Sequence, residues 1–309
     1  MDSEQLLPWY RREARDLPWR RTRDPYAIWV SEIMLQQTRV AAVIPYYERF
    51  LRRFPDVGTL ARAREETVLA HWSGLGYYRR ARMLHAAARQ AARDGVPTSY
   101  DGWRALPGIG DYTASAIASI AHGEAEPVVD GNVERVVSRY LAAHPDKRET
   151  RRRMESWIPA DEPGDFNQAV MELGATVCLP RAPRCDACPI VDGCRGRHEP
   201  ERYPAAKVRP KVREVERAVK LARSKGRVFL RRNEKTGVLE GMWDLPPSRG
   251  GGDALGEVRH GVLDRSYRIS IHAGRATGTG RWFTPKQLES VPLATAARKC
   301  LRLVGFISA

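Results

Sequence analysis

Leu106-Pro-Gly-Ile-Gly-Asp-Tyr-Thr-Ala114 is the stretch from which the fold can be read. Gly108 and Gly110 can both take positive φ, so the chain turns tightly between two helical segments. The turn feeds a helix that begins near Asp111. Backbone N–H groups at such a helix start point outward with the helix dipole behind them, which makes a ready anion site. The pattern is that of two helices joined by a hairpin, a device that grips a DNA phosphate without reading bases. An ordinary glycine-containing turn between helices has the same letters.

Further along stand Cys178, Cys185, Cys188 and Cys194, spaced C-x6-C-x2-C-x5-C. Four thiolates this close can ligate one metal centre. A zinc ribbon brings two C-x2-4-C hairpins together, and here only the middle pair is so spaced. Four-Cys ligation of a 4Fe-4S cluster suits the spacing better. Disulfides are disfavoured in a chain whose N-terminus lacks a signal-peptide core. Cys300 is left over in an apolar segment and reads as a small core residue.

A chain of 309 residues is long enough for two domains, each with its own core. No apolar run approaches the ~18 residues of a membrane span. The N-terminus reads as an amphipathic helix and a Pro turn, so a cytosolic protein is expected, working in the bacterial cytosol or nucleoid. The net charge is +15, which points to a polyanion partner. Residues 1–200 hold 29 Lys+Arg against 27 Asp+Glu, and residues 201–309 hold 23 against 10. The C-terminal third therefore supplies most of the attraction. The first 200 residues must bind anions by local arrangement, and Arg79, Arg80, Arg82, Arg148 and Arg151–Arg153 are their basic clusters. Each is equally readable as a solvated helix face.

Residues 1–198 read as mostly helical, with apolar residues at helical spacing in Ile28–Phe50, Thr67–Trp72, Ala81–Ala92, Thr113–His122, Asn132–Ala142 and Phe166–Val177. Residues 199–212 are polar and Pro-containing, a linker. Residues 213–309 change period: strands are expected at Val215–Ala222, Arg227–Arg232, Tyr267–His272 and Gly280–Phe283, and a closing helix at Leu293–Val304. The second domain is thus α+β.

Two acids stand out by context. Glu32 lies in a largely apolar helical segment, and Asp130 lies between a short apolar run and a helix start. An acid in apolar surroundings is either paired or functional. A salt bridge for Glu32 and an N-cap for Asp130 are the structural alternatives. Two carboxylates in unlike environments are what glycosidic bond cleavage needs: one protonated for the leaving group, one ionised beside an oxocarbenium ion. Apolar surroundings raise the pKa of Glu32, and a helix N-terminus is expected to keep Asp130 ionised.

Taken together, the hairpin, the downstream Asp and the cysteines resemble the helix-hairpin-helix DNA glycosylase superfamily. The cysteine spacing resembles its iron–sulfur branch. Trp29-Val-Ser-Glu-Ile-Met-Leu-Gln-Gln-Thr-Arg-Val40 and Val129-Asp-Gly-Asn-Val133 are similar to the adenine DNA glycosylase family in particular. Gly237-Val-Leu-Glu-Gly-Met-Trp-Asp-Leu-Pro246 looks like that family's Nudix-like C-terminal domain, without the paired glutamates of a hydrolase. The resemblance implies a mostly α, two-lobed glycosylase fold with a 4Fe-4S cluster loop over 1–198, then a small α+β Nudix-like domain over 213–309.

It also implies roles. Glu32 protonates adenine N7 and then helps activate water. Asp130 stabilises the oxocarbenium ion or attacks it as a transient nucleophile, with Tyr112 and Asn132 beside it. Trp19, Arg20 and Gln168 match the base pocket. Gln37, Leu75 and Tyr77 match residues that wedge into the duplex as the base is flipped. Gly108, Gly110, Arg181 and Arg184 meet phosphates, and Cys178, Cys185, Cys188 and Cys194 hold the cluster. Relatives that also cleave the strand carry a Lys at Tyr112, and a phenol forms no Schiff base, so a monofunctional enzyme without lyase activity is expected. The implied partner is double-stranded DNA with A opposite 8-oxoguanine or guanine, met by a monomer and no membrane. The family's Phe-Ser-His lesion-reading run falls here on Val262, Leu263 and Asp264, which leaves 8-oxoguanine selectivity open. The alternatives are a glycosylase for another mismatch and a non-catalytic iron–sulfur DNA-binding protein.

Overall fold

Acids and a serine start the helices. Asp2 accepts from Glu4 and Gln5 N–H, Asp24 from Tyr26, Asp56 from Thr59, Ser99 from Gly102, Asp130 from Val133 and Asp146 from Glu149. Each bond satisfies a backbone donor that the first helical turn leaves unpaired. The computed structural model describes residues 1–205, 212–234, 239–250, 254–262 and 264–308. Among them the helices of the first two thirds are α1 (Ser3–Glu13), α2 (Pro25–Leu35), α3 (Val40–Arg53), α4 (Val57–Arg62), α5 (Glu65–Trp72), α6 (Tyr78–Asp94), α7 (Tyr100–Arg104), α8 (Asp111–His122), α9 (Gly131–Leu141), α10 (Lys147–Glu155) and α11 (Pro163–Thr176). Strands follow: β1 (Arg213–Leu221), β2 (Arg223–Ser224), β3 (Arg227–Arg232), β4 (Trp243–Asp244), β5 (Ala254–Val262), β6 (Arg265–Ala273) and β7 (Arg281–Phe283). Helices α12 (Pro285–Leu288) and α13 (Thr295–Leu303) close the chain. No described helix is long and apolar enough to cross a membrane.

The chain forms two compact units, Met1–Gln37 with Gln90–Lys207, and Thr38–Arg89 with Val208–Ala309. In the first, α11 is central and packs against α1, α8 and α9. Leu6, Val133, Val137, Met154, Phe166, Val170 and Leu173 are fully or almost fully buried there. Helix α2 is apolar on every side, with Tyr26 through Met34 all buried, and it lies against α8. A helix buried all round is a core element, not a surface one. Ala114, Ala116 and Ala118 of α8 are fully buried.

In the second unit, β1 and β6 run parallel, while β5 and β6 form an antiparallel hairpin with Val262 opposite Arg265. Val219, Leu221, Ile269 and Ile271 line the buried face, and Ala297, Cys300 and Leu301 of α13 are buried with them. A second sheet has the order β2-β3-β4, with β7 also on β3. Phe50, Phe54 and Trp72 pack edge-on or tilted, with ring centroids 4.8 and 5.9 Å apart. Hydrogen bonds fasten this helical part to the C-terminal residues: Ser73 Oγ donates to Leu293 O at 2.7 Å, Tyr78 Oη lies 2.9 Å from Thr295 Oγ1, and Arg298 Nη2 donates to Ser73 Oγ at 3.0 Å.

Three expectations need correction. The periodic run Ile28–Phe50 is two helices, because Gln37 turns left-handed at φ 55° and ends the first. Gly108 takes the left-handed turn at φ 78°, but Gly110 is an extended N-cap at φ −95° and needs no glycine freedom. Strand β5 falls where no strand was expected; its residues alternate between half-buried and exposed, and none is fully buried.

Candidate active site

Three helices of the first unit bring their functional groups to one place. Glu32 comes from the middle of α2, Tyr112 from the first turn of α8, and Asp130 caps α9. Glu32 is 6% exposed, and its Oε2 has no hydrogen-bond partner. Burial pushes its pKa up to about 7; the Tyr112 hydroxyl pulls it down, the Asp130 charge pushes it up, and the Arg20 charge pulls it down. The Tyr112 hydroxyl also lies 3.7 Å from Met171 Sδ, a far weaker acceptor than a carboxylate. Its own pKa is raised well above a phenol's, first by burial and then by the charges of Glu32 and Asp130.

Asp130 Oδ1 accepts from Val133 N–H at 2.8 Å and Oδ2 from Asn132 Nδ2 at 3.1 Å. The helix start was expected to keep this carboxylate ionised, and burial opposes it. Burial wins: its pKa is raised, although the Val133 and Asn132 donors pull it back. Asp130 thus keeps two donors that Glu32 lacks, which favours ionising Asp130 first.

The line of hydrogen bonds continues outward. Asn132 Oδ1 accepts from Arg135 Nη2 at 2.8 Å, which also donates to Gly174 O at 2.7 Å. Arg135 Nε donates to Cys178 O at 2.8 Å. One guanidinium therefore connects the cysteine loop to the carboxylate. Gly174 permits this approach, since a Cβ there would lie 2.6 Å from Asn132 Cβ. Gly174→Ala is expected to cost about 1–3 kcal/mol through overpacking and to push Asn132 off Asp130. Thermal unfolding would read the first effect; a crystal structure of the variant with Asn132 unmoved would refute the second.

Trp19 and Arg20 sit on a short 3-10 turn, Pro18–Arg20, with Trp19 buried. Arg20 Nη2 donates to Glu172 Oε2 at 2.7 Å, and its guanidinium covers the Tyr10 ring at 5.4 Å. Arg15 donates to the same carboxylate through Nε and Nη2, both at 2.7 Å. Burial alone would raise the pKa of Glu172, but the two arginines more than reverse this and hold it at about 2. Gln168 lies one turn before Glu172 on α11, buried, with Nε2 3.5 Å from Asp165 Oδ1. Sequence reading missed Glu172 and Arg135. The acid in the apolar Met171-Glu-Leu-Gly run and the i,i+3 spacing of Asn132 and Arg135 were the available signals.

Arg181 and Arg184 are exposed, as is Gln37. In the second unit Leu75 is buried, whereas Tyr77 is exposed and left-handed at φ 48°, a costly conformation for a bulky residue. Val262 and Asp264 flank the tip of the β5–β6 hairpin; Leu263 lies outside the described residues, as do Gly237 and Val238.

Cys178, Cys185, Cys188 and Cys194 are free and half-buried. They sit close enough to feel one another: Cys188 is pushed up to about 11, chiefly by burial and also by the charges of the other three. Among the described residues no three His, Cys, Asp or Glu side chains are grouped as a ligand set for a metal ion. Buried Arg139 donates to Cys178 Sγ at 3.3 Å and to Leu179 O and Pro180 O, and its own carbonyl accepts from Cys194 Sγ at 3.4 Å. Two of the four thiols meet this one arginine, and four cysteine thiols are the donor type that an iron–sulfur cluster takes.

The chain matches the profile of the HhH-GPD superfamily base excision DNA repair proteins over residues 30–160. It superposes on a thermostable thymine-DNA glycosylase with a TM-score of 0.60 at 28% identity, covering 63% of this chain and 94% of that one. Endonuclease III in a non-covalent DNA complex shares the fold, with a TM-score of 0.56 at 22% identity over 64% and 94% of the two chains. Fold and site thus define a helix-hairpin-helix glycosylase architecture. The adenine DNA glycosylase of Homo sapiens is 48% identical over 214 residues, 63% of this chain and 39% of the human protein. That of Buchnera aphidicola subsp. Schizaphis graminum is 31% identical over 256 residues, 79% and 74% of the two chains. The chain belongs to the adenine DNA glycosylase family. It spans about two fifths of the length of its human and rat relatives.

Proposed function

We propose that the protein hydrolyses the N-glycosidic bond of adenine mispaired with 8-oxoguanine or guanine in duplex DNA. The observation that carries this reading is Glu32, a buried carboxyl held at a pKa near neutrality beside a second carboxylate on a helix end. Glu32 donates its proton to adenine N7 and weakens the bond to the sugar. Asp130, fixed by Val133 and Asn132, faces the positive charge that develops at the sugar. Trp19, Arg20 and Gln168 hold the flipped base, and Glu172 holds Arg20. Gln37, Leu75 and Tyr77 replace the base in the stack. Gly108, Gly110, Arg181 and Arg184 take phosphates.

Cys178, Cys185, Cys188 and Cys194 would hold a 4Fe-4S cluster, which ties the loop together and leaves Arg135 and Arg139 in place. The functional division we propose follows chain order: excision in 1–198, a linker at 199–212, and recognition of the opposing base in 213–309. It differs from the division by compactness, because Thr38–Arg89 carries Leu75 and Tyr77. The enzyme works as a monomer in the bacterial cytosol or nucleoid.

A second reading, excision from another mismatch, is favoured by the superposition on a thymine-DNA glycosylase. Thymine has no N7 to protonate, and a buried acid such as Glu32 then has no task. Single-turnover base release from duplexes carrying A opposite 8-oxoguanine, A opposite G, A opposite T and T opposite G separates the two. Release from the first two alone is expected, with no covalent adduct under borohydride, since Tyr112 forms no Schiff base. Release from T opposite G would establish the second reading, and an efficient trap would overturn the monofunctional one.

A further inference from the structure

Helix α10 carries five cations, Lys147, Arg148, Arg151, Arg152 and Arg153, and they are not equivalent. Arg152 and Arg153 both pair with Glu149. Arg151 pairs with Glu126 at 2.5 Å and Glu155 at 3.3 Å, donates to Ser115 Oγ and Pro127 O, and covers the Tyr100 ring at 5.4 Å. Its hydrogen-bonding capacity is committed to the fold. Lys147 and Arg148 are exposed and have no ion-pair partner among the described residues. Both line a cleft of ≈ 390 Å³ whose apolar wall includes Pro127, Val129 and Tyr112. Asp111, which also lines the cleft, receives Arg104 at 2.6 Å and feels the charge of Lys147, Glu126 receives Arg151, and Asp146 caps α10.

We propose that this cleft is a subsite for the DNA backbone next to the reacting nucleotide, with Lys147 and Arg148 neutralising its phosphates. The proposal rests on the glycosylase reading above. Its position argues for that occupant. Tyr112 is both a wall of the cleft and the residue against Glu32, and Val129 immediately precedes Asp130. A sugar placed beside Asp130 must trail its phosphodiester past this wall. Two cations outside any described ion pair there suit such a phosphate, while the apolar wall suits the sugar edge.

Each phosphate contact steepens the fall of log affinity with log salt by about 0.9. In the full chain, Lys147→Ala with Arg148→Ala is expected to flatten the slope by about 2, on mispaired and fully paired duplex alike. Between 50 and 200 mM salt the unmodified protein would then lose about tenfold more affinity than the variant. Arg152→Ala with Arg153→Ala removes the same charge from the same helix and is expected to leave the slope unchanged. Equal flattening in both variants, or none in either, overturns the subsite. If adenine release is measured and the slopes do not differ, the subsite alone fails. If no adenine is released but the slopes differ as stated, the glycosylase reading fails and the subsite stands as a DNA contact.

Discussion

Replacing Glu32 by Gln is expected to cut single-turnover adenine release by about 10²–10⁴-fold while making the protein more stable at pH 8. The two effects share one cause. Burial raises the carboxyl to about 7, which keeps a proton available for the base. The unfolded chain ionises the same group near 4.5, so between these values the folded state binds more protons and stability falls as pH rises. Above about pH 7 the cost is complete and of order 3 kcal/mol. A neutral amide removes it, less whatever the unpaired amide costs in the same pocket, so a gain of about 1–3 kcal/mol is expected at pH 8 and none at pH 4. The pH profile of the unmodified protein is the companion measurement. Base release should fall about tenfold per unit above pH 7, as the acid form disappears. A flat profile between pH 6 and 9 would remove Glu32 from the chemistry.

Asp130→Asn should abolish release, by about 10²–10³-fold or more, yet leave the fold and duplex binding in place. Asn caps a helix about as well as Asp, so the bond from Val133 N–H survives. The other oxygen becomes an NH₂ that faces the NH₂ of Asn132. Asn132 must flip, and its own NH₂ then faces Arg135 Nη2, now donor against donor. A stability loss of about 1 kcal/mol is expected from that broken link. Binding of mispaired duplex should be unchanged or tighter, since an anion leaves a site that faces phosphates. Retained turnover would show that charge at this position is not what stabilises the sugar cation.

Glu32 and Asp130 stood out as candidates because each acid lay in surroundings where a solvated carboxylate has no reason to be. Glu32 is one of nine consecutive buried residues, and Asp130 sits where a short apolar run gives way to a helix. The hairpin was readable from Pro107 and Gly108, although Gly110 proved an ordinary cap. Elements held only by distant partners were not. An acid in an apolar run hints at Glu172, but nothing local names its partners, since its arginines lie 157 and 152 residues away in sequence. The bonds that fasten Ser73 and Tyr78 to residues 293–298 span 215–225 residues, so no local pattern places Thr38–Arg89 in the C-terminal compact unit. Strand β5 was not read as a strand because one-sided half burial leaves a weak alternation. The helix cap on Asp130 was visible in sequence, whereas the burial that raises its pKa was not.

Glu172 has a consequence for how such a sequence can drift. Two arginines share one buried carboxylate, and among the described residues they are its counter-ions. Losing Glu172 would leave two cations crowded around an apolar helix. Losing either arginine would leave the anion half-compensated, and removing one partner of a buried pair commonly costs several kcal/mol. The three positions therefore behave as one heritable unit. Descendants can keep all three or replace them together, and single steps lead downhill in fitness. The segment that carries Trp19 and Arg20 is anchored by that constraint, so the proposed base pocket draws rigidity, through Arg20, from a carboxylate outside it.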